Sequence, residues 1–135
     1  MSLPALQRLR PAEVRDIAFG PGTLCVGLSR RALARLDASP PARVQMELLF
    51  SCLVRKRLLA DDEIPSAGRY QARIGDALEI SFRPVVARHC DADTYARGQP
   101  LDDLPLAEGR ELYPRWVFLD YHQGRWQGDF GFSST

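Results

Sequence analysis

The sequence predicts an α+β domain: helices from the N-terminal half packed on an antiparallel sheet of four or five strands supplied mostly by the C-terminal half. Three observations carry this reading. After Ser39 and Pro40, good helix formers run to about Ala60, with Arg43, Glu47, Ser51 and Arg55 recurring every fourth residue. Beyond Gly68 the pattern changes to alternation, so that Tyr70, Ala72 and Ile74 can face Phe82, Ile80 and Leu78. At the end of the chain, alternating segments flank Gln123-Gly124, a tight-turn signal. The expected order is α-β-α-α-β-β-β-β in a single domain spanning 1–135, a length that suits one core.

Each element has a local reason. Ser2 and Pro4 fit a helix start, with Leu3, Leu6 and Leu9 at helical spacing until Pro11. Ala12 to Asp16 reads as a turn of helix, Gly20-Pro21-Gly22 as a break, and Thr23 to Leu28 as a buried strand. Ser29 is a natural N-cap for a short helix from Arg30 to Leu36, with Leu33 and Leu36 facing inward. The segment from Ser39 to about Ala60 reads as the organising helix, covered on most sides, with Leu49 and Leu53 among its buried residues. For the first hairpin, setting Arg73 opposite Glu79 selects a three-residue loop, Gly75-Asp76-Ala77, in which Ala77 would take the left-handed conformation. Pro84 limits or bends the second strand, and Val85 to Arg88 continue it. The last hairpin pairs Arg115–His122 with Arg125–Phe132. One face collects Val117, Leu119, Tyr121, Trp126, Phe130 and Phe132; the other collects Trp116, Phe118, Asp120, His122, Arg125, Gln127 and Asp129.

Composition narrows the function classes. With 45% hydrophobic and 26% charged residues the chain is of ordinary globular makeup. The longest apolar stretch, Met46 to Val54, is broken by Glu47 and Ser51 and falls short of the ~20 residues that span a bilayer, so no membrane association is expected. The N-terminus lacks a secretory pattern, and Cys25, Cys52 and Cys90 form an odd set without CxxC spacing, which suits free thiols in a cytoplasmic protein. Lys56 is the only lysine, so arginine is the default cation, as in a protein of bacterial type from a GC-rich genome. Residues 1–60 carry ten basic and four acidic side chains, and residues 61–135 carry eight and thirteen. Such segregation suits a nucleic-acid face or complementary packing of the two halves, and the absence of any nucleic-acid-binding motif favours the second.

Four groups of residues bear on chemistry. Asp120 and His122, two apart on a strand, project from one face and are the candidates for general-base catalysis. His89-Cys90-Asp91-Ala92-Asp93 gathers possible ligands, but its spacing matches no zinc pattern, so no metal and no cofactor are expected. The arginines at 8, 10, 15, 30, 31, 35, 55 and 57 interleave with leucines as the wet faces of helices do. The chain also lacks a phosphate-binding loop, a nucleophile elbow and a metalloprotease motif.

These residues point to a non-enzymatic interaction or regulatory domain, a homodimer or the binder of another protein. Trp116 and Phe118 are its expected apolar anchors, ringed by Asp120, His122, Arg125 and Asp129, because the opposite face already holds enough apolar side chains for a core. The alternative is a small pocket protein, carrier or enzyme, with Asp120 and His122 lining a cavity.

Overall fold

A computed structural model describes residues 3–51, 53–87, 101–106 and 111–133. Nine strands and two α-helices follow one another as α1 (Pro4–Gln7), β1 (Glu13–Phe19), β2 (Gly22–Leu28), α2 (Arg30–Ala38), β3 (Ala42–Phe50), β4 (Arg55–Ala60), β5 (Tyr70–Ile74), β6 (Leu78–Val86), β7 (Asp102–Asp103), β8 (Trp116–His122) and β9 (Arg125–Gly131). A single 3-10 turn, Asp61–Glu63, follows β4. Among the described residues 52% lie in strands and 14% are helical. The chain is therefore a two-sheet β structure, and the expected α+β fold with helices packed on one sheet is wrong.

The error lies mainly in one segment. Ser39 to Ala60 is not a helix but the β3–β4 hairpin, entered through a cis Pro40–Pro41 bond. Val44, Met46, Leu48 and Phe50 face the core, while Arg43, Gln45 and Glu47 point to the opposite side with Leu49. This is a period of two; the four-residue spacing of Arg43 and Glu47 is also two strand repeats, and Gln45 between them is the residue that distinguishes the patterns. Glu, Gln, Met and Leu are good helix formers, but that preference is weak beside burial on two faces of a sheet. Leu53 falls outside β3 and β4 and is 60% exposed, whereas Leu49 is buried. Ala12 to Asp16 is likewise not helical, because Glu13 to Asp16 begin β1.

Both sheets share one plan. In sheet A the order is β1-β2-β8-β9, and in sheet B it is β4-β3-β6-β5, with β7 added to β6. Each is two antiparallel hairpins joined through a central parallel pair, β2 with β8 and β3 with β6. Edge β4 lies against edge β9, and edge β1 against edge β5, so the two sheets close into a flattened sandwich. Phe19, Leu24, Val26, Met46, Ile80, Phe82, Val117, Leu119 and Phe130 fill the space between.

Both sequence-read hairpins stand as expected. Tyr70, Ala72, Arg73 and Ile74 face Phe82, Ile80, Glu79 and Leu78. Gly75, at φ +55°, takes the left-handed position, which relieves Ala77 of it. His122 faces Arg125 across Gln123-Gly124. The short helix α2 is capped by Ser29, whose Oγ accepts from the Ala32 amide at 3.0 Å, and it buries Ala32 and Leu36 against the core.

Candidate functional site

The outer face of sheet A was the expected recognition surface. Its apolar part is largely covered, while Arg125 and Asp129 stay exposed. Trp116 is 7% exposed and packs with Cys25 and with Leu6 of α1, and half-buried Phe118 packs against the same cluster, as do Leu3 and Ala5. Pro4 starts α1 at a position where its missing amide costs nothing, and this single turn aims Leu6 at the sheet. Gly27 makes the approach possible, since a Cβ there would lie 2.6 Å from Leu6 Cδ1. The expectation of an open Trp116 face is thereby corrected: the apolar surplus on this side of the sheet is matched by the chain's own N-terminal turn. Cys25 is buried beneath it, and its thiol pKa is raised by desolvation first and by its hydrogen bond with Asp16 second.

Asp120 and His122 do project together, but toward α2. Asp120 accepts from Ser29 Oγ at 2.5 Å, from Arg31 Nε at 3.1 Å and from the Tyr121 amide at 2.9 Å, and Arg31 Nη2 closes a second, bidentate contact. The Arg31 bond, more than the others, holds the Asp120 carboxyl below its ordinary pKa. His122 Nδ1 lies 2.6 Å from Arg31 Nη1. Because guanidinium can only donate, Nδ1 is the acceptor there, so neither member of the pair is poised to take a proton from a substrate at these atoms. Two arginines in the first turn of α2 oppose the helix dipole, and Asp120 supplies the negative charge that the turn itself lacks. The pair is a staple between β8 and α2.

The remaining predicted residues part company. Asp129 accepts from Lys56 Nζ at 2.7 Å, and Lys56 also donates to the Phe130 carbonyl at 2.5 Å, tying β4 to β9. Arg125 alone lies at an open concavity of about 290 Å³, lined also by Arg35, Ala60, Asp61, Asp62, Glu63, Tyr121, Gly124 and Trp126. His89, Cys90, Asp91 and Asp93 lie outside the described residues, as does Cys52. Among the described residues, no three His, Cys, Asp or Glu side chains are grouped to hold a metal ion. No helix among them is long and apolar enough to cross a membrane.

That concavity is built by three elements. The β8–β9 hairpin sets Tyr121 opposite Trp126, with their rings edge to face at 5.2 Å. From α2, the Arg35 guanidinium lies 5.2 Å from the Tyr121 ring centre and donates to the Ser39 carbonyl at the helix end. From the end of β4 comes the acidic turn. Asp61, at φ +47°, accepts from the Arg43 amide at 3.1 Å, and Glu63 accepts from the Ala60 amide at 3.1 Å. Trp126 is 9% exposed, and its indole N–H is buried with no acceptor among the described residues. A buried donor without a partner is costly and rare. Sequence reading put Tyr121 and Trp126 on the core face, correctly, but could not bring Asp61 to them.

A second set of polar residues escaped sequence reading altogether. On the outer face of sheet B, Gln45, Glu47, Ser81 and Arg83 are all buried. The parallel register sets Arg43 beside Glu79, Gln45 beside Ser81 and Glu47 beside Arg83. The rungs extend sideways. Glu79 also meets Arg73 at 3.5 Å, Glu47 meets Arg57 at 2.9 Å, and Arg83 meets Asp103 at 2.7 Å. Gln45 Nε2 donates to Ser81 Oγ at 3.1 Å and to the Ser66 carbonyl at 3.0 Å. The signal was present as two alternating triplets of complementary order, Arg43/Gln45/Glu47 and Glu79/Ser81/Arg83.

Comparison of the chain with protein-family models, with curated proteins and with solved structures finds no match, so the geometry of this fold is what a functional reading stands on.

Proposed function

We propose that the chain is a non-enzymatic protein-interaction domain whose docking locus is the concavity between α2, the acidic turn and the β8–β9 hairpin. The observation that carries the reading is a recess, set against the edge-to-face Tyr121–Trp126 pair, that holds exposed charges of both signs, Arg125 from the hairpin and Asp62 from the acidic turn. Opposed charges beside an aromatic wall are what orient a bound segment. The Asp120–His122 pair supports the same reading from the other side, since its atoms are engaged in stapling α2.

Selection of displayed random peptides on the folded chain tests this. Recovered peptides should lose binding to Arg125→Ala and to Asp62→Ala, and should keep it toward Val14→Ser, a substitution on a strand edge away from the recess. Equal binding to all three variants would place the docking surface elsewhere. Sedimentation of the free chain reads in parallel whether the natural occupant is a second copy, as a homodimer requires.

A further inference from the structure

We infer that the concavity selects a segment carrying a carboxylate and a cationic group side by side, as in neighbouring acidic and basic side chains of a partner protein. This deepens the proposed docking function and rests on it. Several of the polar groups lining the recess are already engaged. Arg35 is held by the Ser39 carbonyl and the Tyr121 ring, Asp61 by the Arg43 amide, and Glu63 by the Ala60 amide. What remains available is unequal in kind. On the hairpin wall is a charged donor, the exposed Arg125 guanidinium, beside the buried Trp126 ring. On the opposite wall is an acceptor, the exposed Asp62 carboxylate, with Asp61 and Glu63 beside it.

An occupant must therefore bring an acceptor to one wall and a donor to the other. A guanidinium cannot accept, so the group that meets Arg125 is a carbonyl or a carboxylate, and the charges of Arg125 and Arg35 favour the charged form. The acidic turn favours a cation by the same logic, and Asp62, exposed and without a partner among the described residues, can pair with it. A purely acidic segment would face the turn with like charge, and a purely basic one would face the two arginines. Each wall thus rejects what the other attracts, which is how charge arrangement produces specificity. The recess holds about 290 Å³, at the low end for small-ligand sites, so it admits one or two side chains and not a folded domain.

The test follows the indole N–H signals of uniformly 15N-labelled full-length chain. There are two tryptophans, Trp116 and Trp126, and the variant Trp126→Phe assigns the signals by loss. Probes are blocked hexapeptides with adjacent Asp and Lys, with two Asp, with two Lys, or with neither. The mixed peptide should move the Trp126 signal saturably and bind at least about tenfold more tightly than the others; Arg125→Glu should weaken it by about tenfold or more. Equal saturable shifts from all four peptides would overturn the charge selection while leaving the docking site in place. No shift of Trp126 at millimolar peptide, or a shift of Trp116 instead, would overturn both. Free lysine binding as tightly as the mixed peptide would overturn the protein partner in favour of a small-ligand pocket.

Discussion

Central residues on the outer faces of the two sheets are buried, and by opposite means. On sheet A, Cys25 and Trp116 are covered by Leu6 of a four-residue helix, an apolar cover whose attraction depends on area and not on direction. On sheet B, Gln45, Glu47, Ser81 and Arg83 are buried as polar groups set side by side across the strands, with Gln45 Oε1 left without a partner among the described residues, and their satisfaction depends on which residue lies opposite which. The first arrangement contributes stability. The second contributes specificity: sliding β3 by two residues toward the end of β6 would set Arg43 beside Ser81 and Glu47 beside Val85, separating the charges of both outer rungs from their partners. One molecule thus uses apolar cover where a loose fit suffices and polar rungs where register must be chosen.

Substitutions can break this contrast, and the largest effect is expected on the apolar side. Trp116→Ala removes a large buried side chain and should cost about 3–5 kcal/mol in urea unfolding, with Leu6→Ala next at about 2–5 kcal/mol. On the polar side Glu47→Ala should cost about 3 kcal/mol, the lower end for a broken buried pair, because Arg57 is 41% exposed and regains water. Replacing both partners, Glu47→Leu with Arg57→Met, should recover most of that loss, as apolar replacement of a buried pair commonly does. Failure to recover would mean that Glu47 serves more than its pair with Arg57.

Asp120 sharpens the comparison with a pH dependence. Its carboxyl pKa is lowered in the folded chain, so the stability it adds is fully present above the unfolded value of about 3.9 and is lost as pH falls through the lower folded value. Acid unfolding of the wild type should therefore include a component below about pH 4 that Asp120→Asn lacks, measured by circular dichroism across pH. Arg31→Ala should reduce it strongly, since the Arg31 hydrogen bond is the largest cause of the shift. The smallest effect belongs to Lys56 at the seam between the sheets. With the Lys56 side chain 40% exposed and Asp129 53% exposed, Lys56→Ala should cost no more than about 1 kcal/mol, less at high salt.

Legibility in the sequence followed the range of the interactions. Two of the four antiparallel hairpins were readable residue by residue, because Tyr70–Ile74 with Leu78–Phe82 and Trp116–His122 with Arg125–Gly131 are set by nearby turns and one apolar face each. The β3–β4 hairpin was not, because its strand β3 is buried on both faces, and its polar triplet makes sense only beside Glu79, Ser81 and Arg83 of a strand more than thirty residues away. The same limit governs the site. Arg125 was named in advance, but Asp61, Asp62 and Glu63 reach it through the closure of β4 on β9, which no local pattern encodes. Trp116 was placed on the correct face, but its cover was missed, because an aromatic on β8 and a four-residue helix more than a hundred residues earlier give no hint that they meet.

The central parallel pair of sheet A also orders events in time. Cys25 pairs with Trp116 and Leu28 with Leu119, so the strand that joins the two hairpins of sheet A is made only after every described strand of sheet B. During synthesis β1 and β2 can form their hairpin at once, but Leu24, Val26 and Leu28 have no central neighbour until β8 has been added. Such distant pairing gives a high contact order, and nucleation from the local hairpins followed by late docking is the slow route it imposes. Until then β2 offers an open apolar edge of the kind that joins other chains. The rungs of β3 and β6, nearer in sequence and selective in partner, allow sheet B to assemble first and to leave β2 fewer wrong strands to find.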